Sequence, residues 1–306
     1  MKKYMKAVAV GIFIALCFLG VKNFIAYKFP NSSSGMQAVI CQGRTEHLFI
    51  GSSLFRQGID IYTAEEMLEG NSFVLSYNGN QPVQMLEELK MLLRNDVEID
   101  NLYVDLYVYS SALRPAISDT SLIWDLDFQG KCNVYQDMVT YSEAGFSEFV
   151  DFFIAANNQY MIMYPVFNAV MNKEFYKGGN IRETSGSTRE ILDNLGTPGE
   201  REGIDKTQKA SLLEIIDICK EEDIQIYFVE VPKYYTLDEA DYYVRLRSEL
   251  EAVVADERII KASALSFDNR NPAYYQDLFH LSGEGRRTYT KLLLEAVAEA
   301  KEENGE

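Results

Sequence analysis

The stretch His47-Leu48-Phe49-Ile50-Gly51-Ser52-Ser53-Leu54-Phe55 places an apolar, strand-forming run directly before a turn of small residues. A tight turn at the carboxyl end of a central strand exposes a serine hydroxyl in the crevice where α/β folds bind ligands. The same pattern is also common in ordinary turns, so alone it does not separate a nucleophile from a structural serine. The stretch therefore makes Ser53 a candidate nucleophile that needs a partner elsewhere in the chain.

The rest of the chain alternates short apolar runs with helical patterns. Strand-like runs occupy residues 47–50, 73–77, 102–109, 224–231 and 258–262, and helical patterns occupy residues 63–68, 82–94, 207–222, 238–254 and 284–300. This alternation predicts an α/β fold of the flavodoxin-like, three-layer α/β/α type, with a central parallel sheet of about five strands. Residues 111–205 break the rhythm and are predicted to be an insertion that forms a lid or subdomain.

A second motif, Asp277-Leu278-Phe279-His280, comes just before the last helical pattern. An aspartate three residues ahead of a histidine can fold back in a loop, so that its carboxylate holds the ring nitrogen remote from a nucleophile. The chain contains only two histidines. The alternative is a loop aspartate that caps the helix near Ser282, with His280 as a solvated neighbour.

Together the two motifs resemble the SGNH (GDSL-type) hydrolases, in which Gly-x-Ser follows the first strand and Asp-x-x-His lies near the C-terminus. The sequence is most similar to the membrane-anchored, cell-envelope branch, such as the teichoic acid D-alanyl transfer and alginate O-acetylation proteins, because it has Gly-Ser-Ser in place of Gly-Asp-Ser. The resemblance implies a triad of Ser53, His280 and Asp277. It also implies an acylated glycan or cell-wall polymer as substrate, and allows a membrane-bound acyl-transfer partner.

In that family the oxyanion hole uses the N–H of the serine, a glycine after the second strand and an asparagine after the third. Gly79 fits the glycine, although its alternative role is that of a simple turn residue. The third strand run is not followed by Gly-x-Asn, so either Asn80 substitutes or the hole has two donors. The missing asparagine leaves a rival interpretation, a catalytically inactive SGNH-fold surface protein that binds a glycan or a membrane partner.

The N-terminus carries Lys2, Lys3 and Lys6 ahead of an apolar run, residues 7–21, that continues weakly to residue 27. A run of about 20 residues is long enough to cross a membrane, and the lysines favour an inside N-terminus. We expect residues 1–29 to be a cytoplasmic tip and transmembrane signal anchor, residues 30–37 a linker, and residues 38–306 an extracytoplasmic catalytic domain. A cleavable signal peptide competes with this prediction, but no A-x-A-like site follows the run.

Composition and motif content limit the partners and cofactors that the protein can have. A net charge of −17 argues against a nucleic-acid partner, because affinity for nucleic acid comes mainly from Lys and Arg. No phosphate-binding glycine loop or metal-spaced His/Glu set appears, so we predict no cofactor and no metal. The four cysteines contain no CxxC pair, and a bridge between Cys41 and Cys132 is the one pairing considered.

Overall fold

The computed structural model describes residues 4, 6–14, 17, 20–21, 35–106, 111–116, 119–142, 177–178, 183–197, 199, 203–255 and 257–304. Within these residues five parallel strands form one sheet, namely β1 (Arg44–Gly51), β2 (Ser72–Ser76), β3 (Glu98–Asp105), β4 (Gln225–Val229) and β5 (Arg258–Ile260). Their order across the sheet is β2-β1-β3-β4-β5. The predicted five-stranded parallel sheet is confirmed, in the flavodoxin-like strand order.

Helices cover the sheet in two groups. The α-helices of the described residues are α1 (Met36–Gln42), α2 (Ser53–Gly58), α3 (Ile61–Met67), α4 (Pro82–Arg94), α5 (Thr120–Asp125), α6 (Phe128–Ser142), α7 (Arg189–Asp193), α8 (Lys206–Glu221), α9 (Tyr235–Asp238), α10 (Asp241–Val253) and α11 (Gly283–Asn304). In one group α4 packs on α6 and α8, and in the other α11 packs on α2 and α3.

Aromatic side chains pack across the central strands. Phe49, Tyr103 and Tyr227 occupy paired positions on β1, β3 and β4 and are fully buried. The ring centroids of Phe49 and Tyr103 are 4.3 Å apart, and those of Tyr103 and Tyr227 are 5.1 Å apart. Such large buried rings contribute much of the apolar area that stabilises the sheet.

The strand order creates a crevice at one edge of the sheet. The chain leaves β1 towards β2 on one side and later returns to place β3 on the other side of β1. Ligands of open α/β sheets bind at the carboxyl ends of strands where the order reverses in this way. Both the Gly51 end of β1 and the Asp105 end of β3 lie at this point.

The predicted insertion is only partly described. Asp205 N donates to Ser111 O at 3.0 Å, so the two ends of the segment are adjacent. Between them, Val74 N of β2 donates to Lys177 O at 2.9 Å and Gly178 forms a parallel bridge with Val74. The aromatic stretch at residues 146–167 lies outside the described residues.

The N-terminal run is described in part. Residues 6–14 are helical, and Val8, Ile12 and Phe13 are each more than half exposed. In the part of the chain that the structure describes, no helix has both the length and the apolar character needed to cross a membrane. The fully buried Met36 begins α1 within the predicted linker, and Cys41 and Cys132 are both free, so the bridge considered between them is not formed.

Candidate active site

The turn at residues 51–53, called here the nucleophile turn, joins β1 to α2. Ser52 caps α2, because its side-chain oxygen accepts a hydrogen bond from Leu54 N at 3.1 Å. A Cβ on Gly51 would lie 2.6 Å from the Cβ of Asp105 and 2.8 Å from the Phe55 ring, so the position has room only for glycine. The turn therefore places Ser53 at the carboxyl end of a central strand, where the sequence analysis expects it.

Residues 275–281, called here the histidine loop, lead into α11. Gln276 N donates to His280 O at 2.8 Å and closes the loop. Inside it, Asp277 Oδ1 accepts hydrogen bonds from the backbone N of Phe279 at 2.8 Å and of His280 at 2.9 Å. The aspartate thus folds back over the loop and fixes the backbone that carries the histidine.

Ser282 takes the capping role that the sequence also allowed for Asp277. Its hydroxyl oxygen accepts from Gly285 N at 3.1 Å, in the first turn of α11, and its hydroxyl donates to Ala273 O at 2.7 Å. Asp277 is therefore left to bind the histidine ring.

A continuous chain of hydrogen bonds links Ser53, His280 and Asp277. Ser53 Oγ lies 2.9 Å from His280 Nε2, and His280 Nδ1 lies 2.8 Å from Asp277 Oδ2. An ionised carboxylate can only accept a hydrogen bond, so Nδ1 carries the ring proton and Nε2 of the neutral ring accepts from the serine hydroxyl. This is the geometry of a serine nucleophile with its general base and an orienting acid.

The surroundings keep the Asp277 carboxylate ionised. Partial burial raises its pKa, but the hydrogen bond and charge interaction with His280, together with the backbone donors, bring that pKa below the ordinary 3.8. The side chains of His280 and Asp277 remain 24% and 44% exposed, so a solvent-borne ester can reach the site.

Gly79 lies in the turn after β2, beside the nucleophile turn. Tyr77 N donates to Gly51 O at 3.2 Å, which continues the pairing of β1 with β2 into this turn. Gly79 has φ of +63°, a conformation that favours glycine. Among the described residues, neither the Gly79 N–H nor the Ser53 N–H donates a hydrogen bond, which leaves two backbone donors on adjacent turns.

Asn80 has hydrogen-bond partners within the protein. Its Nδ2 donates to Gly51 O at 3.1 Å and to Glu88 Oε1 at 2.7 Å, and these bonds use both amide hydrogens. These bonds favour the alternative in which the oxyanion hole has two donors. The side chain instead braces the nucleophile turn against α4.

Two further side chains of α2 connect the parts of the site, and sequence reasoning missed both. Arg56 donates to Ser76 O at the end of β2, and Gln57 Oε1 accepts from Gln276 Nε2 in the histidine loop. They lie three and four residues after Ser53, a spacing that places all three on one helix face. This spacing from Ser53 was the sequence signal that could have identified Arg56 and Gln57.

Asp105 was also missed. Its Oδ2 accepts from Ser52 N at 3.0 Å and from Ser52 Oγ at 2.6 Å. The sequence predicts a third strand that extends to residue 109, and the family resemblance implies an asparagine beyond it, whereas β3 ends at Asp105. A carboxylate that ends a strongly apolar strand was the signal that could have found it.

His47 lies away from the site. Its Nδ1 is 3.2 Å from Tyr103 Oη and its Nε2 is 3.2 Å from Glu69 O, so both ring nitrogens have structural partners. Within the described ranges, no group of His, Cys, Asp and Glu side chains is arranged to hold a metal ion.

No protein-family model and no curated protein matches the sequence. Solved structures that are similar include an inferred acylhydrolase from Bacteroides fragilis, with 12% identity, a TM-score of 0.40 and coverage of 84% of this chain and 88% of that one. A GDSL-like lipase from Bacteroides thetaiotaomicron has 12% identity and a TM-score of 0.39, and covers 85% of this chain and 90% of its own. An inferred platelet activating factor from Streptococcus pneumoniae has 11% identity and a TM-score of 0.42, and covers 95% and 98%.

Proposed function

We propose that this protein is an extracytoplasmic serine esterase or O-acyltransferase that acts on acyl esters of cell-envelope glycans or polymers. One observation carries the proposal: the hydrogen-bonded chain from Ser53 through His280 to Asp277, with heavy-atom distances of 2.9 and 2.8 Å. These distances already lie within the range that proton transfer between a nucleophile and its base requires.

In the first half-reaction Ser53 Oγ attacks the ester carbonyl carbon while His280 Nε2 takes the hydroxyl proton. Asp277 Oδ2 stabilises the imidazolium that forms, through the hydrogen bond from Nδ1. Collapse of the tetrahedral intermediate breaks the ester C–O bond, and the imidazolium returns its proton to the departing alcohol. The acyl group is then an ester of Ser53.

In the second half-reaction a hydroxyl group attacks the acyl carbon while His280 takes its proton. The bond from the acyl carbon to Ser53 Oγ then breaks, and His280 returns the proton to Ser53. Water as the attacking group gives an esterase, and a sugar or polymer hydroxyl gives a transferase. The exposed fractions of His280 and Asp277 support access for a bulky acceptor to this edge of the sheet.

The negative oxygen of the intermediate is held by the backbone N–H groups of Ser53 and Gly79. Both are without a hydrogen-bond partner among the described residues, and the turns that carry them are joined through Gly51 O. Because each donor of this kind is worth about 10²–10³ in rate, a hole with two donors still supports substantial catalysis.

The proposed extracytoplasmic location of the catalytic domain rests on the apolar run near the N-terminus. Its described residues 6–14 are helical, and their apolar side chains are exposed rather than packed on the domain, which supports burial in lipid. Membrane anchoring would hold the site close to acylated envelope polymers and to a membrane-bound acyl-transfer partner. A C-terminal alkaline phosphatase fusion expressed in bacteria tests this: we expect phosphatase activity, and resistance of the protein to carbonate extraction of membranes.

The catalytic proposal is tested with the full-length chain in detergent. We expect the wild type to hydrolyse p-nitrophenyl acetate and to be labelled by a fluorophosphonate probe at Ser53, as read by peptide mass spectrometry. Ser53→Ala should lose both signals. Ser185→Ala, a change at an exposed serine outside the triad, is the matched control and should keep both.

Equal behaviour of the wild type and Ser53→Ala would refute catalysis and favour the inactive glycan-binding alternative. If the wild type is active and Ser53→Ala is not, a second experiment identifies the acyl acceptor. Acetylated and free oligosaccharides are offered together, and acetate release and acetyl transfer are measured by mass spectrometry.

A further inference from the structure

The carboxyl end of β3 places a buried carboxylate directly against the nucleophile turn. Asp105 is 2% exposed and is the last residue of β3, which pairs with β1 on one side and β4 on the other. It approaches Gly51 so closely that a Cβ there would lie 2.6 Å from the Asp105 Cβ. The glycine of the Gly-Ser-Ser sequence is therefore explained by the aspartate that packs on it.

The same carboxylate controls the backbone on both sides of Ser53. Oδ2 of Asp105 accepts from Ser52 N at 3.0 Å and from Ser52 Oγ at 2.6 Å. The Ser52 oxygen in turn accepts from Leu54 N at 3.1 Å. One chain of bonds thus runs from the carboxylate through the Ser52 hydroxyl to the first turn of α2, and Ser53 lies between its two backbone contacts.

Resting on the proposed function, we propose that Asp105 is a positioning residue that sets the orientation of Ser53 through Ser52. The bond from Ser53 Oγ to His280 Nε2 spans two segments 227 residues apart, so it forms only if each segment is held independently. The histidine side is held by Asp277 and the closed loop. Asp105 supplies the equivalent restraint on the serine side.

A buried cation accompanies this carboxylate. Lys233 is fully buried, and among the described residues its Nζ has no hydrogen-bond partner. Burial raises the pKa of Asp105 and lowers that of Lys233, while the opposite charges of the two act against both shifts. Glu230 also faces Lys233 and raises its pKa more than Asp105 does, so removing Asp105 takes away only part of the compensating charge. That loss still lowers stability, and the experiment separates this effect from any effect on positioning.

The experiment measures the rate of fluorophosphonate labelling of Ser53 in the full-length protein. Asp105→Leu keeps the approximate size but removes the acceptor, and should slow labelling by about 10²-fold, the scale expected for displacement of a reacting group by about 1 Å. Asp105→Asn keeps an oxygen that can accept both Ser52 bonds, and should stay within about tenfold of the wild type. For ester turnover, kcat should fall with KM and the shape of the pH profile unchanged, because the bond from His280 to Asp277 is intact.

Stability is separated from positioning by the double variant Asp105→Leu with Lys233→Met. It removes Lys233 together with Asp105, while the buried Glu230 keeps its ion pair with Arg247 at 2.6 Å. The free energy of unfolding should therefore recover towards the wild-type value while the labelling rate stays low. Asp60→Asn is the control, since Asp60 is also a buried carboxylate but binds Thr63 N, in the first turn of α3, and Arg286. It should lower stability without slowing labelling.

The outcomes are distinct. Slow labelling that persists in the stabilised double variant supports the positioning role. Labelling that recovers together with stability, or Asp105→Leu that reacts like the wild type, overturns that role and leaves the proposed function intact. A wild type that is neither labelled nor active overturns the proposed function and the positioning role together.

Discussion

Replacement of Asp277 with asparagine should move the ring proton of His280 from Nδ1 to Nε2. In the wild type the carboxylate accepts from His280 Nδ1 at 2.8 Å, while its second oxygen accepts the two backbone N–H bonds of the loop. An asparagine can keep the backbone bonds through its oxygen, but its NH₂ group then faces Nδ1 and donates to it. Nδ1 becomes the acceptor, Nε2 carries the proton, and His280 cannot take the proton of Ser53.

The size of the effect follows from losing the base while keeping the rest of the site. Substitutions of this kind in Ser-His-Asp triads lower kcat by about 10⁴-fold, which corresponds to about 5.4 kcal/mol of transition-state stabilisation. Because the histidine loop keeps its backbone bonds and the substrate surface is unchanged, KM should change little.

The assay is p-nitrophenyl acetate turnover by equal amounts of folded protein, with circular dichroism to verify folding. Asp268→Asn serves as the control, because Asp268 is an exposed loop aspartate in the same region whose carboxylate accepts from Arg270 N at 3.0 Å and does not bind the triad. It should retain full activity. If Asp277→Asn kept more than about a tenth of the wild-type kcat, the tautomer argument would be refuted.

Four other outcomes are expected. Gly79→Ala should lower kcat by about 10²-fold and the free energy of unfolding by about 1–2 kcal/mol, measured by kinetics and urea titration, because φ is +63° there. Since the pKa of Asp277 is lowered on folding, its contribution to stability is complete above the unfolded value of 3.8 and is lost as pH falls through the folded value. The Tm difference between wild type and Asp277→Asn should therefore shrink only in acid. Phe49→Ala removes a fully buried, stacked ring and should cost about 3–5 kcal/mol in urea unfolding. Burial raises the pKa of Cys219 to about 12, so Ellman's reagent should modify the exposed Cys41 in the native protein and reach Cys219 only after unfolding.

The fold was predictable because local patterns and the global arrangement agree. Runs of apolar, β-branched and aromatic residues mark the strands, and the long helices α4, α8, α10 and α11 each have an amphipathic pattern of the right length. Strand ends were less predictable: the third run continues in sequence to residue 109, but β3 ends at Asp105, whose carboxylate binds Ser52. A propensity pattern carries no information about such a tertiary contact.

The two ends of the candidate triad were readable because their residues are close in sequence within each motif. The supporting contacts were not, since Arg56, Gln57 and Asp105 bind groups that are distant in the chain. The partners of Asn80 could not be read from the sequence either. Its sequence position beside Gly79 suggested a donor for substrate, but its partner Glu88 lies on the next helix and is brought close only by folding.

The bridge between Gly178 and β2 has a consequence for association between molecules. β2 is an outer strand, and an outer strand with unpaired backbone groups is a template on which another chain can add. Here Lys177 O already accepts from Val74 N, and the Lys177 side chain forms an ion pair with Glu65. A segment of the same chain therefore covers part of this sheet edge. The strand at the opposite edge of the sheet, β5, is only three residues long. A second copy of the protein would therefore meet one sheet edge that is already occupied at Val74 and another that is only three residues long.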